Sequence, residues 1–480
     1  MTTAFASTSR RSRWLFFISC AVIAAVGAWF ITGAQALMFV DTNDFQRVVG
    51  HLYLTPLGDG IRWALPERPF RIPGNPELAS HVFTFAAWVQ RFLPGSLFDL
   101  SRTALAAQCL LLVYACVLAW QCAKALQRGA LWCTGLGLVW LAVFFMAHTI
   151  GMAQSFYAEY VFLIAAPLLL IGALASSPRV RLLCLCVGAL ACGLAKVQYF
   201  YVPLLVLASV WAASCWQRVA VDKRLLKSLL VIQIVCLVPL LIGKNGALNA
   251  HHGLYLGSYM ALTPVQLDGL KVSEAERRCI GVDAWGNALT GPGGTVVHTG
   301  VPTCYPESPK LSKRDVLRPY LHYPQALWAL AAGALPHHFT VHYFHVFPGN
   351  FYLKRTGNGA QPATNWLIRM TDWRNRVITP LAPVFVLAAL VGLAVSRRSQ
   401  APGLQRLAVG GLLLALFFVS QIVITLLGEG VRDLSKHLWA AQMALDMLVP
   451  LVLLQAFSLG WHAWVRSRTH ASAGVVELQK

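Results

Sequence analysis

The chain of 480 residues is 57% hydrophobic and only 12% charged, with a mean hydropathy of +0.58, so its apolar content exceeds what one soluble core can hide. Lipid must solvate much of its surface. A formal net charge of +20 would suit a nucleic-acid partner in a soluble protein, yet the basic residues fall mainly at the ends of apolar runs and in one long loop, which argues against that class.

A membrane-spanning helix needs roughly 20 largely uncharged residues. In chain order, ten runs qualify, at about 14–37, 103–124, 129–150, 159–176, 182–198, 200–217, 227–243, 378–396, 406–427 and 438–465. They predict an all-α polytopic membrane protein of about ten transmembrane helices, with a small mixed extracytoplasmic domain inserted between helices 7 and 8. The first run follows Arg10, Arg11 and Arg13 as in a signal peptide. It is long and lacks a convincing small-x-small cleavage site, so it reads as a retained anchor. Residues 1–243 form an N-terminal module of seven helices with an outer loop at 38–102. Residues 244–377 form the inserted domain, and residues 378–480 a module of three helices with a short cytoplasmic tail.

Charge orients this topology. The segments assigned to the inside carry Arg10, Arg11 and Arg13, then Lys124 and Arg128, Arg179 and Arg181, Arg218, Lys223, Arg224 and Lys227, Arg397, Arg398 and Arg406, and Arg466 and Arg468. The short outer turns carry few cations, so the positive-inside rule places both termini in the cytoplasm. The inserted domain has 13 Lys and Arg against 7 Asp and Glu; long segments translocate regardless of charge, so this excess does not oppose the assignment. Ser80 to Leu93 and Leu321 to Leu335 are apolar but too short to span, and read as interfacial or re-entrant helices. Ten of the twelve cysteines lie in or beside apolar runs; Cys279 and Cys304 stand apart in the large loop, where an oxidising compartment would let them pair.

No P-loop, dinucleotide fingerprint, HExxH or paired CxxC is present. Four polar constellations instead gather at the predicted outer boundary. Asp41-Thr42-Asn43-Asp44 follows the first helix, where two carboxylates could bind a divalent cation (Mg or Mn) or act as base, or simply cap the next helix. Gln154-Ser155-Phe156-Tyr157-Ala158-Glu159 opens the fourth run; Glu159 there suits a helix N-terminus, while Ser155 and Tyr157 add polarity that a turn does not need. Lys196 and Gln198 interrupt an apolar stretch, where Lys196 could snorkel or hold a phosphate or carboxylate. Finally, Glu429 precedes Arg432, Asp433, Lys436 and His437, with Asp446 inside the last run. Arg432 and Lys436, four apart, would share a helical face and suit a phosphate. Eight of fourteen histidines sit in the large loop. His337, His338, His342 and His345 have metal-ligand spacing but no acidic or Cys neighbour, so a wet aromatic surface beside the membrane is the preferred reading; Trp285, Trp328, Tyr320, Tyr323, Tyr343 and Phe344 would suit it or stack against sugar rings.

Taken in order, these positions resemble the bacterial branch of the GT-C glycosyltransferase superfamily, polytopic enzymes that transfer a sugar from a polyprenyl-phosphate carrier. That superfamily places a carboxylate pair after the first helix, matched by Asp41 and Asp44, although Thr42 and Asn43 separate them here and leave the base unassigned. The stretch Ser155-Phe156-Tyr157-Ala158-Glu159 is similar to a Ser-Phe-Tyr-x-Glu turn of envelope hexose transferases. Asp433-Leu434-Ser435-Lys436-His437 is similar to their acidic-Leu-x-basic-His segment before the last helix. The resemblance implies that Asp44 or Asp41 deprotonates an acceptor hydroxyl on a cell-envelope glycan or lipid, which attacks the anomeric carbon of the lipid-linked sugar. Lys196, Arg432, Lys436 and His437 would hold the leaving phosphate, and Glu159 and Tyr157 would orient the acceptor or the sugar. It also implies a bacterial inner membrane. Two rival readings stand beside it: a transporter or flippase for a lipid-linked glycan, and a non-enzymatic envelope assembly protein.

Overall fold

With no water in the bilayer core, a long uncharged run must close its own backbone hydrogen bonds, and helices follow wherever such runs occur. The computed structural model describes residues 10–477 except 40–44, 58–61, 68–69, 72, 75–76, 96, 243–245, 290, 292–295, 299–303, 305–310, 340–351, 357–358, 363–365 and 398–400. The principal helices are α1 (Arg10–Gln35), α2 (Leu78–Arg91), α3 (Leu100–Ala125), α4 (Ala130–Phe144), α5 (Ala147–Ala153), α6 (Glu159–Leu174), α7 (Pro178–Ala195) and α8 (Val202–Gln217). They continue with α9 (Lys223–Ile242), α10 (Gly246–Gly253), α11 (Lys313–His322), α12 (Gln325–His338), α13 (Trp366–Val377), α14 (Ala382–Ser396), α15 (Pro402–Glu429) and α16 (Trp439–Glu477).

The chain is a multi-pass membrane protein. Among the described residues eight helices are long and apolar enough to cross a bilayer. Two of the ten runs depart from simple spans. The run at 129–150 breaks into α4 and α5 with a 64° bend. No Pro or Gly sits at the break. The freed Ala147 N–H donates to Thr371 Oγ1 on α13 (2.8 Å), so a neighbouring helix replaces the lost intrahelical acceptor. Helix α6 has only 16 residues, and nearly all of it is buried. A helix wrapped by protein and not by lipid need not match the hydrocarbon thickness.

The end of α1, the start of α3, the end of α5 and the start of α6 meet at one end of the bundle, where Gln154 Nε2 donates to Ala34 O (3.2 Å) and Tyr160 OH to Thr103 O (3.0 Å). The end of α7 and of α15 and the starts of α8 and α16 lie at the same end. At the opposite end Arg128 stacks on Trp461 (4.2 Å) and Arg397 on Trp216 (5.2 Å), so cations anchor the boundary that the charge pattern assigns to the cytoplasm. Helices α6 and α7 approach closely because each offers a glycine to the other's leucine. A Cβ on Gly172 would lie 2.8 Å from Leu185 Cγ, and one on Gly188 would lie 2.9 Å from Leu169 Cδ2.

Among the described residues three small sheets decorate the polar end. Strand β1 (Leu37–Phe39) follows α1 directly; β2 (Thr55–Pro56), β3 (Arg62–Ala64) and β4 (Leu97–Asp99) form an antiparallel set, and β5 (Asn287–Leu289) pairs with β6 (Val296–His298). Strands β7 (Tyr352–Thr356) and β8 (Gly359–Pro362) make a hairpin from the large loop. Its β7 pairs with β1 in the register Leu37 to Lys354, Met38 to Leu353 and Phe39 to Tyr352. The loop therefore returns to the stretch that immediately precedes Asp41. A π-helical turn, Leu254–Ser258, docks on the end of α15, where Val431 N donates to Leu256 O (2.9 Å). Gly430 makes this possible: it has φ +62°, and any Cβ there would strike Leu256 O at 2.4 Å.

Helix α2 lies in the segment read as interfacial. It buries Phe83 and Ala87 against the protein and leaves the aromatic Phe85 and Trp88 exposed, followed by the exposed Phe92 just past its end.

Candidate functional site

Because four helix ends converge, residues from distant parts of the sequence form one buried chain of polar contacts. Lys196, just past α7, places Nζ 2.9 Å from Glu159 Oε1 at the start of α6 and 3.1 Å from His437 Nδ1. His437 Nε2 in turn lies 2.5 Å from Glu429 Oε2 at the end of α15. An ammonium can only donate, so Nδ1 accepts and the ring proton resides on Nε2, which donates to the Glu429 carboxylate. Glu159 is fully buried and Lys196 is 6% exposed, so neither is a snorkelling boundary residue.

The surroundings hold this chain rigid. Gln421 Nε2 donates to His437 O (3.0 Å), and Tyr201 OH donates to Gln421 Oε1 (2.8 Å). Gln198 Nε2 donates to Thr425 Oγ1 (2.7 Å). On the other side the backbone N–H of Val197 donates to Glu77 Oε1 (3.4 Å), and Arg47 Nη1 donates to both Glu77 oxygens, at 3.0 Å to Oε1 and 2.8 Å to Oε2. The Tyr199 hydroxyl, in the same turn, is fully buried with no hydrogen-bond partner among the described residues. A buried hydroxyl left in this state costs roughly 1–3 kcal/mol, and such groups cluster where a ligand or water completes them.

The other predicted residues take different roles. Arg432 is 3% exposed, pairs through Nε with Asp283 Oδ2 (3.0 Å) and through Nη1 with Asp433 Oδ1, and so is neutralised by two carboxylates. Lys436 stands over the Tyr157 ring at 3.9 Å. Ser155 is consumed locally: Oγ donates to Met152 O (2.9 Å) and accepts from Tyr157 N (3.3 Å), which shapes the turn into α6. Within this cluster the described cations are Arg47, Lys196, Arg432 and Lys436, against the carboxylates Glu77, Glu159, Asp283, Glu429 and Asp433. The cations are thus tied largely to protein carboxylates. Asp41 and Asp44 lie outside the described residues, as do His342 and His345. Phe45, the residue after Asp44, packs its ring against Phe156 (5.2 Å), next to Ser155 and Tyr157. Among the described residues no group of three or more His, Cys, Asp or Glu side chains is arranged to hold a metal ion.

Cys279 and Cys304 form a disulfide, with Cα atoms 5.8 Å apart. It closes the lobe that carries Asp283. In the same lobe His252 Nε2 accepts from Ala284 N (3.2 Å), and burial pushes the imidazole down to about 3, so the ring is neutral.

A second buried charge cluster lies deeper in the bundle. Asp446 on α16 receives Arg374 Nε at 2.6 Å and lies 3.0 Å from His148 Nε2. Arg374 also donates to Thr379 Oγ1 (2.8 Å) and Gln442 O (3.3 Å), and Trp439 Nε1 donates to His148 O (3.2 Å). This network ties the broken α4–α5 run to α13 and α16.

Sequence reasoning missed Glu77, Arg47, Asp283, Gln421, Thr425, His148 and Arg374. Some had a signal: Gln421 and Thr425 are polar, four apart, in an otherwise apolar run, as is His148 in its own. Glu77, Asp283 and Arg374 sit in polar or mixed segments where nothing marks them.

No protein-family model matches the chain, and no solved structure does. The chain is similar to a protein described as "Uncharacterized protein YfdI" of Escherichia coli (strain K12), with 24% identity over 316 residues. The match covers 64% of this chain and 66% of that protein, just under two thirds of the relative's length.

Proposed function

We propose that the chain is a membrane glycosyltransferase of the GT-C kind, moving a sugar from a polyprenyl-phosphate carrier to a cell-envelope glycan or lipid on the outer face of a bacterial inner membrane. The observation that carries the reading is the convergence of Glu159, Lys196, His437 and Glu429, from four helix ends, at the end of the bundle where α1 also ends. Its orientation, with both termini cytoplasmic and the large loop outside, rests on the basic helix ends at the other boundary and on a disulfide in the loop.

In this reading Asp44 or Asp41 accepts the acceptor's hydroxyl proton as that oxygen attacks the anomeric carbon. The bond to the phosphate oxygen breaks, and polyprenyl phosphate leaves. The leaving phosphate is met by the N–H of Lys196 not committed to Glu159 or His437, by the Tyr199 hydroxyl and by Lys436. Arg432, held by Asp283 and Asp433, supports the wall of the site and not the phosphate itself. The buried His148, Asp446 and Arg374 cluster is the one observation that favours the rival transporter reading, since intramembrane charges often mark transport pathways.

The test incubates purified protein in lipid with a panel of polyprenyl-phosphate sugars, with and without Mg2+ or Mn2+, and records free polyprenyl phosphate. Release should fall by about 10²-fold or more in Asp44→Asn or in Asp41→Asn, which also identifies the base. No turnover with any donor, while labelled lipid crosses the bilayer of the same vesicles, would replace this reading by the flippase.

A further inference from the structure

Trp285 is an exception within its own turn. From Gly281 to Asn287 every other residue is buried, yet the indole is 57% exposed. Its backbone is fixed: Asp283 Oδ1 accepts the N–H of Trp285 and of Asn287, both at 2.8 Å, and Gly286, at φ +81°, donates its N–H to Asp283 O (3.1 Å). Its ring is held as well: the Arg432 guanidinium lies over it, 5.3 Å from the centroid, and the neutral His252 ring packs against it at 5.3 Å with a 48° tilt. Arg432 lies three residues beyond Glu429, so this indole is an immediate neighbour of the polar chain.

A rigid, exposed indole has two common uses: a belt at the lipid interface or a stacking surface for a ligand. The lobe around Trp285 argues against the belt. Asp268, Lys271, Glu274 and Arg278, on the turns leading into the disulfide, are all exposed, so the lobe faces water. An indole braced by Arg432 over its ring and by a tilted His252, still more than half exposed, in water and beside a site that would handle sugars, suits the apolar C–H face of a pyranose on its open side.

We propose that Trp285 is a recognition platform for a pyranose ring of the glycan substrate, pre-set by Asp283, Arg432 and His252. This rests on the sugar-transfer reading for its biological use but not for its test. Saturation-transfer NMR of the full chain in nanodiscs, with methyl glucoside, methyl galactoside, methyl mannoside and N-acetylglucosamine as probes, measures the contact directly. At least one pyranoside should show transfer to ring C–H protons on one face, weakened roughly tenfold by Trp285→Ala and largely kept by Trp285→Phe. Unchanged melting of both variants shows that the lobe is intact. Transfer undiminished in Trp285→Ala, or no transfer from any pyranoside to the wild type, overturns the proposal. Pyranoside binding without polyprenyl-phosphate release would leave the platform standing and remove the transferase reading. Release with an acceptor KM unmoved by Trp285→Ala would do the reverse.

Discussion

Replacing Lys196 by Met tests whether the buried polar chain is an electrostatic unit. At 2.9 Å the attraction between Lys196 and Glu159 is about 6 kcal/mol for an effective dielectric of about 20. Both groups are withdrawn from water, so most of that attraction offsets their desolvation, and the intact pair is worth little net stability. Removing one partner is different. Lys196→Met leaves the Glu159 carboxylate buried and uncompensated and strips His437 Nδ1 of its donor, at a cost of about 3–5 kcal/mol. Adding Glu159→Gln removes the stranded charge, and the double variant should return to within about 1–2 kcal/mol of the wild type. For a chain of this length the single variant should melt roughly 3–5 °C lower. The ten free cysteines sit largely in or against the helices, so a thiol-reactive dye in nanodiscs reports the loss of packing as it occurs. A single variant as stable as the wild type, or a double variant no better than the single, would refute the reasoning. Polyprenyl-phosphate release from the same samples separates fold from chemistry, because the restabilised double variant should remain inactive.

The deeper cluster should behave in the same manner. Asp446→Asn strands Arg374 beside His148 and should cost about 3–5 kcal/mol, while Arg374→Met with Asp446→Leu should cost less than either change alone; melting of the three variants decides it. The lobe should weaken in acid. His252 in the folded chain takes a proton only at about pH 3, below the ordinary value of about 6.5, so the unfolded chain protonates first. Stability from the neutral ring is full above about pH 6.5 and falls toward pH 3, by about 2 kcal/mol at pH 5. Hydrogen exchange of α10 amides, corrected for intrinsic rate, should show more frequent opening at pH 5 than at pH 7 in the wild type and little change in His252→Gln. Equal protection at both pH values would contradict the assignment.

Membrane character and most helix positions could be read from one dimension, because a bilayer imposes its demand on each run separately. The uncharged stretches of about 20 residues became helices, and the basic clusters at their ends found aromatic partners at one boundary. The bend at Phe145 could not be read, because Thr371 and Asp446, more than 200 residues away, supply the groups that satisfy it. The short α6 became tolerable only once other helices surrounded it.

The site divides along the same line. Composition singled out Lys196, Glu159 and His437 because ionisable groups in apolar context are costly and must have partners. It could not say that the partners would be one another, since each lies on a different helix end. Arg432 shows the limit most clearly. Its spacing from Lys436 suggested a shared phosphate grip, but Asp283, from the disulfide lobe, claims its guanidinium in three dimensions. Sequence determined which groups had to be compensated, because the membrane penalty acts on each residue where it stands. Only the tertiary structure decided which charge compensates which, because that depends on how side chains from helix ends distant in sequence come within hydrogen-bond distance of each other.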